Sequence, residues 1–171
     1  MVEIIGQGLG VVAVILGFLS FQMKTQRLLL FMQMLTGVVF CVHYGLIGAT
    51  AGMALNAVGV VRTFVYFLCE KKNYRRRWVP IAWTVIMGAA GIITWDAWFS
   101  VFCLCGLVIN TFCLSFSDPQ NVRKSILVTS PMVLTYNVFA FSIGGIIYES
   151  VVIISSVIGI ITYRNLKKKT V

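Results

Sequence analysis

Hydrophobic residues occur along this chain in seven long blocks, separated by short polar or basic connections. An α-helix rises 1.5 Å per residue, so about 20 apolar residues are needed to cross the roughly 30 Å hydrocarbon core of a bilayer. The blocks have about this length and do not show the ten-residue alternation of a transmembrane barrel. They predict seven membrane-spanning helices, at about 4–22, 28–48, 51–69, 78–94, 98–116, 125–142 and 145–163.

The overall composition agrees with this pattern. Hydrophobic residues make up 59% of the 171 residues and charged residues only 11%, and the mean hydropathy of +0.94 is well above that of a soluble domain. Little sequence remains for a domain outside the bilayer. The predicted fold class is therefore an all-α, multi-pass membrane protein, with the lipid bilayer as its surroundings.

The positions of the basic residues carry more information than the net charge of +9. Of the 14 Lys and Arg residues, 13 follow predicted helices one, three, five or seven: Lys24, Arg27, Lys71, Lys72, Arg75, Arg76, Arg77, Arg123, Lys124, Arg164, Lys167, Lys168 and Lys169. Because basic loops stay in the cytoplasm, the N-terminus is predicted outside and the C-terminus inside. This explains the charge without a nucleic-acid partner. Binding of anionic lipid by "KKNYRRR" at 71–77 is a minor alternative.

The segments at the ends of predicted helices one and five are similar: "SFQMKTQ" at 20–26 and "SFSDPQ" at 115–120. Beyond them, an offset of 93 positions aligns His43 with Tyr136, Tyr44 with Asn137, Gly52 with Gly145, Asn56 with Glu149 and Thr63 with Ser156. We interpret this as two copies of a three-helix unit in the same orientation, joined by helix four, in a 3+1+3 parallel repeat. The predicted organisation is a first unit at 1–69, a basic loop and linker helix at 70–97, and a second unit with a basic tail at 98–171.

Two segments, "GFLSFQMKTQRLLLFMQ" and "HYGLIGATAGMALNAVGVVR", together with the chain length, resemble the YgjV-type family of bacterial inner-membrane proteins over nearly the whole chain. The 3+1+3 plan with "TQ" and "PQ" at the ends of helices one and five is also similar to the wider SWEET and PQ-loop superfamily. The first resemblance implies a multi-pass protein of the bacterial inner membrane. The second implies a central pocket between two three-helix units and alternating access for a small solute. The hinge prolines typical of SWEET transporters are absent from the first unit, where glycines would have to serve.

Polar residues inside the predicted helices are few, and each is costly near the centre of a bilayer. Asn56 and Thr63 lie on one face of helix three, within about 60° of each other, and Glu149 and Ser156 form the equivalent stripe on helix seven. Matching places on helices two and six hold further polar and aromatic residues. We predict that seven residues contact a solute: Asn56, Glu149, Thr63, Ser156, His43, Tyr136 and Asn137.

Other interpretations of these residues stay open. Glu149 can exchange a proton as its access to water changes, pair with a neighbouring polar side chain, or lie at the outer interface. Asn56 can form a hydrogen bond between helices, and His43 can be a packing residue. The predicted solute is small and neutral or cationic, because the proposed site carries one carboxylate and no fixed positive charge nearby.

A second set of residues is predicted to have a gating or structural role: Arg62, Gln26, Pro119, Gln120 and Pro131. Arg62 lies about 120° around helix three from Asn56 and about 9 Å further towards the cytoplasm. Its side chain is therefore expected to reach the inner interface or to bind carbonyls near the two glutamines. Pro119 is expected to take the place that Thr25 has in the first copy, so that the two units would hinge differently.

No catalytic constellation is visible, since the chain has one histidine, no paired carboxylates on a helical face and no Gly-x-Ser-x-Gly elbow. Cys103 and Cys105 lie about 200° apart on a helix and do not converge on a metal. An enzyme, a cofactor and a metal site are not expected. The leading hypothesis is a small-solute transporter or facilitator, and the alternative is a non-transporting receptor or assembly factor of the same fold. Two units in one chain can form a complete pocket, and a homo-oligomer is compatible with this.

Overall fold

The structure, a computed structural model, describes residues 2–46, 50–74, 77–95, 97–139 and 143–169. Within these ranges the chain forms seven α-helices and no β-strand, which confirms the predicted all-α class. The helices are α1 Val2–Ser20, α2 Gln26–Leu46, α3 Thr50–Lys71, α4 Trp78–Ile93, α5 Ser100–Cys113, α6 Pro119–Phe139 and α7 Ile143–Lys169. Most ends lie within a few residues of the predicted ones. The exceptions are the start of α6 and the end of α7, where an extra turn or more carries polar and basic residues beyond the apolar block.

The helices differ in how well each would cross a bilayer alone. In the described part of the chain, Gln26–His43 and Gly144–Arg164 are long and apolar enough by length and composition, while Gly8–Ser20, Trp78–Ile93 and Ser100–Cys113 are apolar but shorter. The 14 residues of α5 extend about 21 Å, less than the roughly 30 Å of hydrocarbon.

The first three and the last three helices pack in the same way, with the middle helix of each group in contact with the other two. α2 contacts both α1 and α3, and α6 contacts both α5 and α7. α4 packs mainly against α5 and touches α3, while α1 and α7 contact each other. We call the end of the bundle that holds the connections α1–α2, α3–α4 and α5–α6 the basic end, because the Lys and Arg residues of these connections lie there.

Side chains are distributed in the opposite way to those of a soluble protein. Large apolar residues cover the outer surface, as Ile93 shows with 83% of its surface exposed, whereas Thr111, Thr129 and Ser155 are buried inside. Such a surface suits hydrocarbon, which offers polar groups no hydrogen-bond partner. A compact apolar cluster lies towards the basic end and comprises Phe21, Leu29, Leu30, Tyr66, Val79, Leu114, Val122, Ile126 and Val152.

Matching caps start α2 and α6. The hydroxyl oxygen of Thr25 accepts a hydrogen bond from the backbone N–H of Leu28 at 3.4 Å, and the carboxylate of Asp118 accepts one from the N–H of Gln120 at 2.9 Å. Thr and Asp are favoured at this position because they satisfy the free N–H groups of the first turn. Asp118, and not Pro119, therefore corresponds to Thr25. Pro119 is the first residue of α6, where a missing N–H costs nothing, so the proposed difference in hinging does not follow from it.

The basic segment after α3 ends that helix in a defined way. Asn73 has a positive φ of 50°, a left-handed conformation that Asn tolerates better than most residues. It allows the N–H of Tyr74 to donate to the carbonyl of Cys69 at 2.8 Å, which satisfies an end carbonyl of the helix. α4 begins at Trp78, and its first turn accommodates Pro80.

Candidate functional site

A central cavity of about 450 Å³ lies between the helices and is lined by residues from both ends of the chain. Of the predicted solute contacts, five line it: Asn56, Thr63, Tyr136, Asn137 and Glu149. These residues come from α3, α6 and α7, which are separated by up to about half of the sequence. The cavity volume lies within the roughly 300 to 1,000 Å³ that is usual for small-molecule sites.

Glu149 lies half-buried on the α7 side of this cavity. Its carboxylate accepts a hydrogen bond from the side chain of Ser130 on α6, and no ion pair engages it within the described residues. One turn earlier on α7, Gly145 faces Asn137 so closely that a Cβ there would overlap the side-chain amide of Asn137. The polar groups of α6 and α7 are therefore packed together along one wall of the cavity.

α3 contributes a second set of polar residues to the lining. Asn56 is half-buried and lines the cavity. Thr63 is buried, and its hydroxyl donates to the carbonyl of Gly59 in its own helix at 2.8 Å. The same hydroxyl oxygen accepts a hydrogen bond from the guanidinium of Arg62 at 3.5 Å, so Thr63 has at most one acceptor position left for a solute.

Arg62 also lines the cavity, which differs from the expectation that its side chain reaches the inner interface. Its guanidinium turns back over Gly59, one helical turn towards the start of α3, and donates to the hydroxyl of Thr111 on α5 at 2.7 Å. Side chains of α-helices lean towards the N-terminus, which explains this direction. Only 8% of Arg62 is exposed, its Nε has no hydrogen-bond partner, and no carboxylate pairs with it in the described part of the chain.

Two predicted solute contacts lie outside the lining of this cavity. His43 packs near Gly10 of α1, with its ring 6.1 Å from that of Phe40. Ser156 is fully buried on α7, and its hydroxyl has no hydrogen-bond partner among the described residues. It is one helical turn or more closer to the basic end than Val152, the last residue of α7 that lines the cavity.

The predicted gating residues lie away from the cavity, with the exception of Arg62. Gln26 lies in the first turn of α2, and Pro119 and Gln120 lie in the first turn of α6. Pro131 lies inside α6 and is exposed. Gln26 is buried, and its side-chain N–H donates to the carbonyl of Leu114 at the end of α5 at 3.0 Å.

Sequence reasoning missed the role of Arg123, which was used only to orient the chain. Arg123 is 1% exposed, and its guanidinium donates to the carbonyl of Phe21 at 2.7 Å and to that of Met23, both just after α1. Its guanidinium carbon also lies 5.9 Å from the centre of the Tyr163 ring. Gly159 has no side chain, and the side chain of Arg123 fills the space beside it. A glycine and a tyrosine four residues apart on α7 were the only sequence signal for such a site.

Gln26 and Arg123 form equivalent contacts between the two halves of the chain. α2 begins with a residue that holds the end of α5, while the first turns of α6 hold the end of α1. The two acceptors, Phe21 and Leu114, are 93 positions apart and each follows the last residue of its helix. The same offset relates a second pair of contacts. Ser155 donates to the carbonyl of Phe18 at 2.6 Å, and Arg62 donates to Thr111.

Polar residues of α6 were also missed, although they adjoin the predicted ones. Thr129 and Ser130 are buried and line the cavity, and no described residue forms a hydrogen bond with the hydroxyl of Thr129. On α5, Asn110 lines the cavity with an unpartnered side-chain oxygen. The offset of 93 relates Thr129 to Thr36, which lines the cavity as well, so the repeat was a usable signal.

No group of three or more His, Cys, Asp or Glu residues comes together as a metal site among the residues whose placement is described. The five cysteines are half-buried and form no disulfide within the described part of the chain. Among the described residues, the lining of the central cavity offers one carboxylate, one guanidinium, one thiol, and several amide and hydroxyl groups. Such groups bind and orient a polar solute by hydrogen bonds and charge.

Comparison with known proteins identifies the family. A sequence model of the Imp-YgjV family, described as bacterial inner membrane protein, matches residues 4–167. "Inner membrane protein YgjV" of Escherichia coli (strain K12) is 22% identical over 165 residues, which cover 96% of this chain and 87% of that protein. No solved structure matches the chain. These matches confirm the resemblance seen in the sequence and the location in the bacterial inner membrane. With nearly its whole length matched, the chain belongs to the Imp-YgjV family of bacterial inner membrane proteins.

Proposed function

We propose that this protein transports a small polar solute across the inner membrane through the central cavity, as a carrier or facilitator. The observation that carries the proposal is a cavity of about 450 Å³ lined by polar groups from α2 to α7 inside an apolar outer surface. Polar side chains within a membrane protein face the bundle interior or a water-filled path, and they mark solute routes. The volume suits a solute of the size of a sugar, a nucleoside or an amino acid.

The proposal includes a 3+1+3 arrangement of two three-helix units, with α4 as the linker and the N-terminus outside. Its support is the offset of 93 positions, which relates the helix caps, the contacts at the basic end and the packing order of the helices. Parallel repeats related by an axis along the membrane normal place a solute site at their interface. In support of this arrangement, α2 and α3 line the cavity together with α5, α6 and α7, and α4 contributes Met87 and Gly91.

Charges of both signs face the proposed site, which changes the solute expected. A neutral or cationic solute was predicted because no positive charge was expected near Glu149. Arg62 lines the same cavity, and no ion pair joins the two residues within the described structure. A neutral solute with several hydroxyl groups, or one that carries both charges, is favoured over a purely cationic one, since a lone cation would approach the buried guanidinium without compensation.

The basic end provides the inner gate in this proposal. Arg123 and Gln26 hold the ends of α1 and α5 across the two units, so these contacts have to separate when the cavity opens to the cytoplasm. They are few and specific, which suits a gate, because a small number of hydrogen bonds can break and re-form as a solute binds.

Reconstitution into liposomes tests the proposal. The purified protein is screened first by thermal shift against sugars, nucleosides, amino acids and vitamins. A ligand that binds the folded protein stabilises it by RT ln(1 + [L]/Kd) and so raises the melting temperature. Uptake of each hit is then measured with and without a proton gradient. Glu149→Gln is expected to reduce both the shift and the uptake about tenfold or more, while Asp118→Asn, the same chemical change at an exposed residue outside the cavity, keeps the oxygen that caps α6 and leaves both intact.

Two results would oppose the proposal. One is a protein that gains no stability from any solute class and moves none of them. The other is equal loss in the two variants, because Asp118 does not line the central cavity and a shared loss would indicate a general effect on folding.

A further inference from the structure

A second cavity, of about 240 Å³, lies at the basic end and is separate from the central one. It is formed by the start of α2, the end of α3, the start of α4 and the turn after α5. Its lining includes Gln26, Glu70 and Arg77 among the polar residues, and Tyr74 and Phe116 among the aromatic ones. None of these residues has a part in the transport proposal except Gln26, whose N–H holds the end of α5.

One buried acceptor of this cavity lacks a hydrogen-bond donor within the described residues, and two charged side chains lie beside it. Within the described part of the chain, no hydrogen bond or ion pair engages the carboxylate of Glu70 or the guanidinium of Arg77, although both line the cavity. Gln26 is 3% exposed, and its side-chain oxygen has no donor. Buried acceptors are nearly always satisfied, so the missing donor points to a ligand with N–H or O–H groups.

The depth of the cavity indicates the source of the ligand. Tyr74 lines the cavity, Trp78 is next to the lining residues Arg77 and Val79, and both aromatic residues are exposed, by 44% and 61%. Exposed Tyr and Trp residues of membrane proteins lie at the level of the lipid headgroups. The volume is below the roughly 300 Å³ at which sites for whole drug-sized molecules begin, so it suits a headgroup whose acyl chains remain in the bilayer.

We propose that this cavity binds the headgroup of phosphatidylethanolamine. Arg77 binds the phosphate, and the ammonium group lies between the carboxylate of Glu70 and the side-chain oxygen of Gln26. Phosphatidylglycerol brings no cation for Glu70, and its negative charge would meet that carboxylate. Phosphatidylcholine brings a cation with no N–H, so it cannot donate to Gln26. The site is therefore distinct from general attraction of anionic lipid to basic loops.

Lipid binding by the delipidated, detergent-solubilised full chain tests the proposal. Phosphatidylethanolamine, phosphatidylglycerol and phosphatidylcholine of identical acyl chains are titrated separately, and binding is followed by native mass spectrometry and by thermal shift. Phosphatidylethanolamine is expected to bind at least about fivefold tighter than the other two. Glu70→Gln and Arg77→Gln are each expected to weaken it about tenfold, which corresponds to about 1.4 kcal/mol. Arg164→Gln, a basic residue at the same end outside the cavity, is expected to change nothing.

Other outcomes of these measurements would contradict the proposed lipid site. Tighter binding of phosphatidylglycerol, or an equal loss in Arg77→Gln and Arg164→Gln, would overturn the proposal in favour of a general basic surface. Soluble O-phosphoethanolamine distinguishes the source of the headgroup. If it binds as tightly as the lipid, the ligand is a free solute and the lipid site is refuted. Because the ranking of lipids is measured on the unmodified chain, the test does not depend on how any variant folds or on whether the protein transports a solute.

Discussion

Gly159 on α7 is the position at which an added methyl group should do most damage to the basic end of this protein. A Cβ there would lie 2.5 Å from the carbonyl oxygen of Phe21 and 2.7 Å from Nε of Arg123. Real Cβ atoms essentially never approach other atoms below 3.0 Å. The carbonyl belongs to the backbone of the turn after α1, and Arg123 donates to that same oxygen, so neither can move without breaking the contact.

The expected loss of stability follows from three contributions. Overpacking of a filled interior costs typically about 1 to 3 kcal/mol. Loss of one hydrogen bond to a charged group costs about 1.5 to 3 kcal/mol. Replacement of glycine by alanine inside a helix stabilises the helix by up to about 1 kcal/mol. The net destabilisation expected for Gly159→Ala is about 1.5 to 5 kcal/mol, or a melting temperature lower by at least about 3 °C for a chain of this length.

Thermal unfolding in mild detergent measures this change, and α7 supplies a matched control. Gly144 lies at the other end of the same helix, and a Cβ there meets nothing within 4 Å. Gly144→Ala is therefore expected to leave the melting temperature unchanged or to raise it slightly. Equal melting temperatures for Gly159→Ala and Gly144→Ala would refute the account of Arg123 as the group that fills the space above Gly159.

A double-mutant cycle sharpens the test. Arg123→Ala removes the guanidinium, so adding Gly159→Ala to it should cost less than in the unmodified chain, because part of the overlap is gone. Residues in contact show coupling of about 0.5 to 3 kcal/mol, whereas distant ones are additive within about 0.5 kcal/mol. Strictly additive effects would mean that the two positions act independently, contrary to the contact seen.

Three further predictions concern the bundle as a whole. Gly106→Ala should lower the melting temperature, since its Cβ would lie 3.2 Å from the carbonyl of Thr129, while Gly88→Ala should not, since its nearest neighbour would be 3.8 Å away. Removal of the hydrogen bond between Arg62 and Thr111 by Thr111→Val should destabilise the protein by about 1.5 to 3 kcal/mol, and a loss below 0.5 kcal/mol would show that Arg62 is held by other groups. Reporters fused to the C-terminus should be active only in the cytoplasm and reporters in the connection between α4 and α5 only outside; the reverse pattern would contradict the proposed orientation.

The sequence alone was sufficient for the class of the protein and for its helices. Hydrocarbon offers no partner for backbone N–H and C=O groups, so long apolar blocks have to form helices, and their length sets the number of spans. The seven predicted blocks match α1 to α7 because this requirement is local. The offset of 93 positions was also readable, and it related Asn56 to Glu149, both of which line the central cavity.

Only the tertiary structure decided which polar groups meet. Arg62 was expected to extend towards the inner interface, yet its side chain turns into the cavity. Helical side chains lean towards the N-terminus, and in that direction Arg62 donates a hydrogen bond to Thr111 on α5. Arg123 looked like a basic loop residue and is almost completely buried between α1 and α7. Its partners lie about 100 positions earlier in the chain, and no periodic pattern reports contacts at such a separation. They depend on how the helices pack, which local spacing does not specify.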